Sequence, residues 1–388
     1  MSVLTSRAAL RWAVPAGVLV AILGAGAVRT VISASAGDTL PARSPAQLLA
    51  DVASAQLDAG YGTVVERADL GLPSLPGSLG GEGSSNLNSL VSGSHTLRVW
   101  YSGPDKARVA LLGSMGESDV IRNGTDVWTW SSATNTATHS TLPAGRDRAP
   151  GAPGQGAPPP LDPSQLPTTP QQAAGALLAA IDPSTAVSTA DTVVVAGRSA
   201  YDLVLAPRDT ASLVRSVNIA IDGVRHVPLR VQVYPEGSDT PAFEIGFTQV
   251  SFNRPDNAQF AFTPPPGATV TDGNTAGKGT PESGAGTAPA TRPVVIGTGW
   301  TSVLAARMPQ PAATPAPNAG GRHNGGTAPN LDAILRNLPT VSGTWGTGRL
   351  LQARLFSVLL TDDGRVLVGA VTGQRLLQAA ADPAAALK

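Results

Sequence analysis

The side chains that most often do chemistry are few here and badly spaced for it. Four histidines, His95, His139, His226 and His323, show no metal-ligand spacing, and no H-E-x-x-H occurs. No serine lies in G-x-S-x-G. Cysteine is absent, which removes thiolate nucleophiles, thiolate metal sites, disulfides and a lipidated cysteine together. The stretch GNTAGKGT from Gly273 resembles a phosphate loop, but it lacks the full spacing between glycines, a Ser or Thr directly after the lysine, and an abutting strand. Asp362-Asp363-Gly364, between LLT and RVLVGAV, reads as a hairpin turn and not as a carboxylate pair. Asn123-Gly124-Thr125 fits a glycosylation sequon and equally a type I′ turn; the flanking strands favour the turn. The remaining polar set, Arg198, Asp202 and Arg208, suits ion pairs on a strand face better than a catalytic centre. The expectation is a protein that is not an enzyme, with no catalytic residues, no metal and no cofactor.

Composition narrows the partners. Lys+Arg and Asp+Glu both number 27, for a formal net charge of zero, and no basic block is present to track a phosphate backbone. Nucleic acid is therefore not an expected partner. The 388 residues allow two or three domains, but 43 Gly and 34 Pro assign much of the length to loops and linkers.

The elements that would position any site follow from the pattern. At the start, Arg7 and Arg11 precede 17 uncharged residues, Trp12 to Val28, and Ala34-Ser35-Ala36 offers a small-x-small cleavage pattern. Residues 1–36 read as an export signal or membrane anchor, with both left open. This places the rest outside the cytoplasmic membrane, secreted or anchored at its outer face. Residues 38–270 are rich in alternating strands, interrupted by a Pro/Gly-rich loop at 144–168; 271–292 is a linker, and 293–388 a small C-terminal domain. Ser44-Pro-Ala-Gln47 and Thr169-Pro-Gln-Gln172 each place a hydroxyl at an N-cap, proline at the first helical position and glutamine at the third. Each predicts a helix. Strand patterns such as PLRVQVY set Leu229, Val231 and Val233 against Arg230, Gln232 and Tyr234. The fold class expected is mainly β with α (α+β): a large curved antiparallel sheet with a few helices against it. The C-terminal segment reads as two hairpin strands around Asp363-Gly364 plus a helix at 372–381.

An ordered set of motifs carries a resemblance. WYSGPDKAR at Trp100 to Arg108, IRNGTDVW at Ile121 to Trp128 and VAGRSAYDL at Val195 to Leu203 are similar to the LolA-like lipoprotein-carrier superfamily over about residues 38–270. In more detail they resemble the high-GC Gram-positive group related to outer-membrane lipoprotein carriers and to MucB/RseB sigma-factor regulators. The resemblance implies a half-open barrel whose lid helices cover an apolar cavity for lipid or lipoprotein acyl chains. A membrane transporter or an anti-sigma protein is the further partner expected. The candidate lining is Trp100, Trp128, Trp130, Phe243, Ile245 and Phe247, with Leu48, Leu49, Leu177 and Leu178 from the lids.

Period two leaves one question open. It shows that Trp128 and Trp130 share a strand face, but not which face, so cavity lining and ordinary core under a helix both stand. Trp100 opposes Val99 and Tyr101, so only one of those sets looks inward; Leu48, Leu49, Leu177 and Leu178 also suit plain helix packing. Two functions are expected from the resemblance. One is a non-catalytic carrier for lipid or lipoprotein; the other is an RseB-like envelope stress sensor that regulates a membrane anti-sigma protein, using 293–388 to bind its partner.

Overall fold

The computed structural model describes residues 40–72, 84–142, 183–273, 293–307 and 338–386. The expected export segment, the loop at 144–168 and the helix opened by Thr169, with Leu177 and Leu178, lie outside the described residues. Among the described residues no helix is long and apolar enough to cross a membrane.

The first half begins with helix α1 (Pro45–Ser54). Ser44 accepts a hydrogen bond from the Gln47 amide at 3.3 Å, and the Gln47 side chain accepts from the Ser44 amide at 2.9 Å, so the expected capping box is formed. Then come β1 (Ala59–Ala68), a 3-10 turn at Leu87–Val91, β2 (Gly93–Ser102), β3 (Lys106–Gly113), β4 (Gly116–Asn123), β5 (Asp126–Ser131) and β6 (Thr136–Thr141). After residues 143–182 follow β7 (Thr185–Thr189), β8 (Val193–Val195), β9 (Arg198–Pro207), β10 (Val214–Asp222), β11 (Pro228–Pro235), β12 (Phe243–Ser251) and β13 (Thr269–Asp272).

These strands make one 13-stranded sheet in the order β13-β6-β5-β4-β3-β2-β1-β12-β11-β10-β9-β7, with β8 paired to β9. The two halves are stitched by the long-range β1·β12 pair. The sheet is curved and does not close into a barrel. It is not wholly antiparallel, because β13 runs parallel to β6 at one edge, Thr269 to Asp272 lying against Thr136 to His139. Bulges at Thr63/Val64 and Ala220/Ile221 break the register, which sharpens local twist. At the β4–β5 turn only Gly124 of the two loop residues has positive φ, at 65°, the requirement of a type II′ turn; the expected type I′ needs both.

The C-terminal part holds more strands than the single expected hairpin. β14 (Val294–Ile296), β15 (Val303–Arg307), β16 (Thr340–Gly343), β17 (Gly346–Gln352), β18 (Ser357–Thr361) and β19 (Arg365–Gly369) form a second sheet, order β14-β15-β19-β18-β17-β16, followed by α2 (Gly373–Ala380). β15 pairs with β19 across residues 308–364, a partnership that local pattern cannot announce. The turn at Asp362–Gly364 is a hairpin loop with Gly364 at φ 84°.

The two sheets meet through polar contacts. The Arg354 amide donates to the Leu70 carbonyl at 2.8 Å, and its guanidinium bonds Asp69 and Ser238. The Leu213 amide donates to Ala370, and the Trp300 indole donates to Thr185 at 2.7 Å.

Candidate functional site

Strand register resolves which side chains share a face. Thr189, Leu203, Ile219, Val231, Ile245, Glu66 and His95 are Cα partners in succession across β7, β9, β10, β11, β12, β1 and β2. Cross-strand partners project to the same side. One step along, Phe247, Val64, Leu97 and Leu111 form a parallel row, and Phe243 stands opposite Ala68. A continuous apolar stripe therefore runs across the sheet on one face.

Among the described residues, two short elements cover that face. Leu48 of α1 is fully buried against Tyr201, Leu203 and Ile221, with Leu49 and Val52 beside it. Leu90 of the Leu87–Val91 turn packs on Val64, Leu97 and Leu111, where Val99, Val109, Ile245 and Phe247 remain only partly buried. So Leu48, Leu49, Phe243, Ile245 and Phe247 come together on one side.

The tryptophans lie on the other. Tyr61, Trp100, Arg108, Ile121, Trp128 and His139 are successive partners across β1 to β6, out of phase with the apolar stripe. Trp128 stacks on His139 at 4.4 Å between centroids and meets Phe262 at 5.3 Å; Trp130 meets Phe262 at 6.0 Å. They pack beneath the segment that carries the buried Phe260 and returns to β13. Trp100 is clothed by the guanidinium groups of Arg98 and Arg108, at 5.6 and 5.2 Å. The candidate residues thus divide between two faces of one sheet.

Within the apolar stripe sits a hydrogen-bonded pair of ionisable side chains. His95 Nδ1 and Glu66 Oε2 are 2.9 Å apart, and each residue is 3% exposed. Glu66 Oε1 and His95 Nε2 are buried with no hydrogen-bond partner among the described residues. Desolvation pushes the Glu66 carboxyl above its ordinary range, against the hydrogen bond and charge of His95. The pattern contained a signal for it: Glu66 is in phase with Val64, and His95 with Leu97, on strands whose other in-phase residues are apolar.

The set Arg198, Asp202 and Arg208 does not converge. Asp202 accepts from Asn218 at 3.1 Å on the polar face, where burial raises its pKa against that bond and Arg230. Arg198 pairs with Asp222, and the Arg208 amide donates to Ser184. Among the described residues no group of three or more His, Asp or Glu is placed to hold a metal ion.

One cleft was not foreseen. At the end of the sheet where β1 begins and β12 ends, Leu57, Asp58, Ala59, Arg225, Phe252 and Arg254 line a volume of about 210 Å³. Its lining is mixed in polarity.

No family model matches the sequence, and no curated protein matches it. Among solved structures, the chain is similar to MucB in the Pseudomonas aeruginosa MucA/MucB complex, at 16% identity and TM-score 0.38 over 86% of this chain and 94% of that one. It is similar to an uncharacterized conserved protein from Thermus thermophilus at 14% identity and TM-score 0.32, over 58% and 97%. A LolA superfamily protein from Nitrosomonas europaea aligns at 11% identity and TM-score 0.20, over 57% and 99%. These likenesses, all at low TM-score, leave function to be derived from the geometry of the chain itself.

Proposed function

We propose that this protein is a non-catalytic binding protein of the cell envelope that holds acyl chains of a lipid or lipoprotein on the face shared by Phe243, Ile245, Phe247, Leu97 and Leu111. The supporting observation is the continuous apolar stripe on one side of an open sheet, covered among the described residues by α1 and the Leu87–Val91 turn. Apolar burial contributes about 0.8 kcal/mol per methylene, so one acyl chain replacing these covers would offset the loss of their few contacts. In this reading both covers shift to admit the ligand, and no bond is made or broken.

The test is capture from vesicles. The full chain, incubated with phospholipid vesicles, re-isolated and solvent-extracted, is expected to carry lipid near one per protein, and Val109→Asp, in the half-buried part of the stripe, to carry little. Absence of lipid on the folded wild type overturns the reading.

A second reading is an envelope regulator that binds a membrane anti-sigma partner. It is favoured by the C-terminal sheet, which has its own core and docks on the large sheet through polar contacts. It requires residues 293–388 for partner capture, so undiminished capture by a chain ending at 292 counts against it.

A further inference from the structure

The small cleft at the end of the sheet is positively charged and abuts the apolar stripe. Phe247 packs against the Val64/Leu97/Leu111 cluster and also against Val195, Ala200 and Leu229, and this second cluster includes Val250 and Phe252. Phe252 is in turn a wall of the cleft, so apolar contact runs from the stripe to its edge.

The cations there are placed by the fold. Asp222, fully buried, makes a two-pronged ion pair with Arg198, and its Oδ1 also accepts from the backbone amides of Val224 and Arg225, at 3.0 and 2.6 Å. One carboxylate thus neutralises Arg198 and ties down the β10–β11 turn that presents Arg225. The Arg225 guanidinium lies 5.7 Å from the centroid of Phe252, and Arg198 lies 4.8 Å from the same ring. Arg254 donates to the Ser102 hydroxyl. Among the described residues neither Arg225 nor Arg254 has a carboxylate within 4.0 Å, although Asp58 also lines the cleft. Two guanidinium groups with no carboxylate in ion-pair range among the described residues, that of Arg225 lying over the Phe252 ring, fit an anionic group of phosphate size.

We propose that the cleft seats the phosphate of an anionic lipid headgroup between Arg225 and Arg254, while the acyl chains extend past Phe252 and Phe247 onto the stripe. This rests on the acyl-binding reading and narrows its ligand to an acidic amphiphile. Asp222 acts as a positioning residue for the cleft, and Asp58 sets a charge that the ligand must outweigh.

The test uses the full chain with three probes: phosphatidylglycerol vesicles, vesicles doped with diacylglycerol of the same acyl chains, and inorganic phosphate alone. Captured lipid is read by native mass spectrometry, and phosphate by equilibrium dialysis. The expected result is preferential capture of phosphatidylglycerol, falling at least about tenfold in R225Q/R254Q while diacylglycerol capture is unchanged. Arg307→Gln, in the second sheet, is the control for bulk charge. Equal capture of both lipids by wild type and double variant overturns the headgroup site and leaves the acyl-binding reading standing. Phosphate binding without capture of either lipid overturns the amphiphile and assigns the cleft to a free anion. Capture of neither lipid nor phosphate overturns both readings.

Discussion

The two sheets handle apolar surface in opposite ways. In the C-terminal sheet, Val303, Ala305, Leu359, Leu367, Val371 and Leu376 are at most 1% exposed and form one cluster under α2. Its buried Arg365 is fully engaged, bonding Asp363, the Ala385 carbonyl at 3.1 Å and the Trp345 carbonyl at 3.0 Å. The larger sheet spreads its apolar residues over two faces in small clusters fringed by partly buried side chains, and places Glu66 and His95 among them with atoms that have no partner among the described residues. A completed core is built for stability, whereas the partly buried apolar side chains of the larger sheet are the feature on which the acyl-binding proposal rests.

The contrast can be broken by substitution. The largest effect is expected at Leu367, fully buried in the completed core: Leu367→Ala costs about 2–5 kcal/mol, seen as early loss of β17–β19 amide protection in hydrogen exchange. Phe247→Ala, in the half-covered stripe, is expected to cost clearly less; an equal cost would erase the distinction. Next is Gly62, where an added Cβ meets the Gln249 carbonyl and the Phe247 ring beside the β1·β12 bulge. Gly62→Val should cost about 1–3 kcal/mol and loosen the seam between the two halves of the large sheet, measured by urea unfolding. At the contact between sheets, Arg354→Ala should cost about 1 kcal/mol or less, since the side chain is partly exposed. Its sharper readout is faster proteolysis at the junction with unchanged exchange inside either sheet.

The smallest effect concerns Glu66. Its folded pKa is raised from the ordinary 4.5, so the folded protein keeps this proton where the unfolded chain has released it. The resulting contribution to stability is full below 4.5 and is lost as pH rises through the raised value. Glu66→Gln should remove that decline, leaving a flatter profile of unfolding free energy against pH over this window. A profile identical to wild type would show that the pair is not desolvated as described.

Much of this was legible along the chain. Ser44 and Gln47 announce a capped helix, Gly103-Pro104-Asp105 and Asp363-Gly364 announce turns, and period two announces strands, because each depends on residues a few positions apart. The predicted strand faces were also internally right: Trp128 and Trp130 do share one, and Leu97, Val99 and Tyr101 share another. Glu66 and His95, ionisable residues in phase with apolar neighbours, are a signal the alternation itself carries. Arg225 and Arg254 could not have been brought together by spacing, since they meet only where a β10–β11 turn and the exit of β12 fold to the same end.

The sequence by itself determined the strands, their alternation and the Ser44 helix cap, all consequences of local sterics and of residue chemistry. The tertiary structure alone decided that Phe243, Ile245 and Phe247 lie with Leu48 and Leu49 while Trp100, Trp128 and Trp130 lie behind them. The physical reason is that alternation fixes only which residues share a side of their own strand. Which side becomes the covered apolar face depends on the register between strands distant in sequence, as where β1 pairs with β12, and on which later segment arrives to pack against each side.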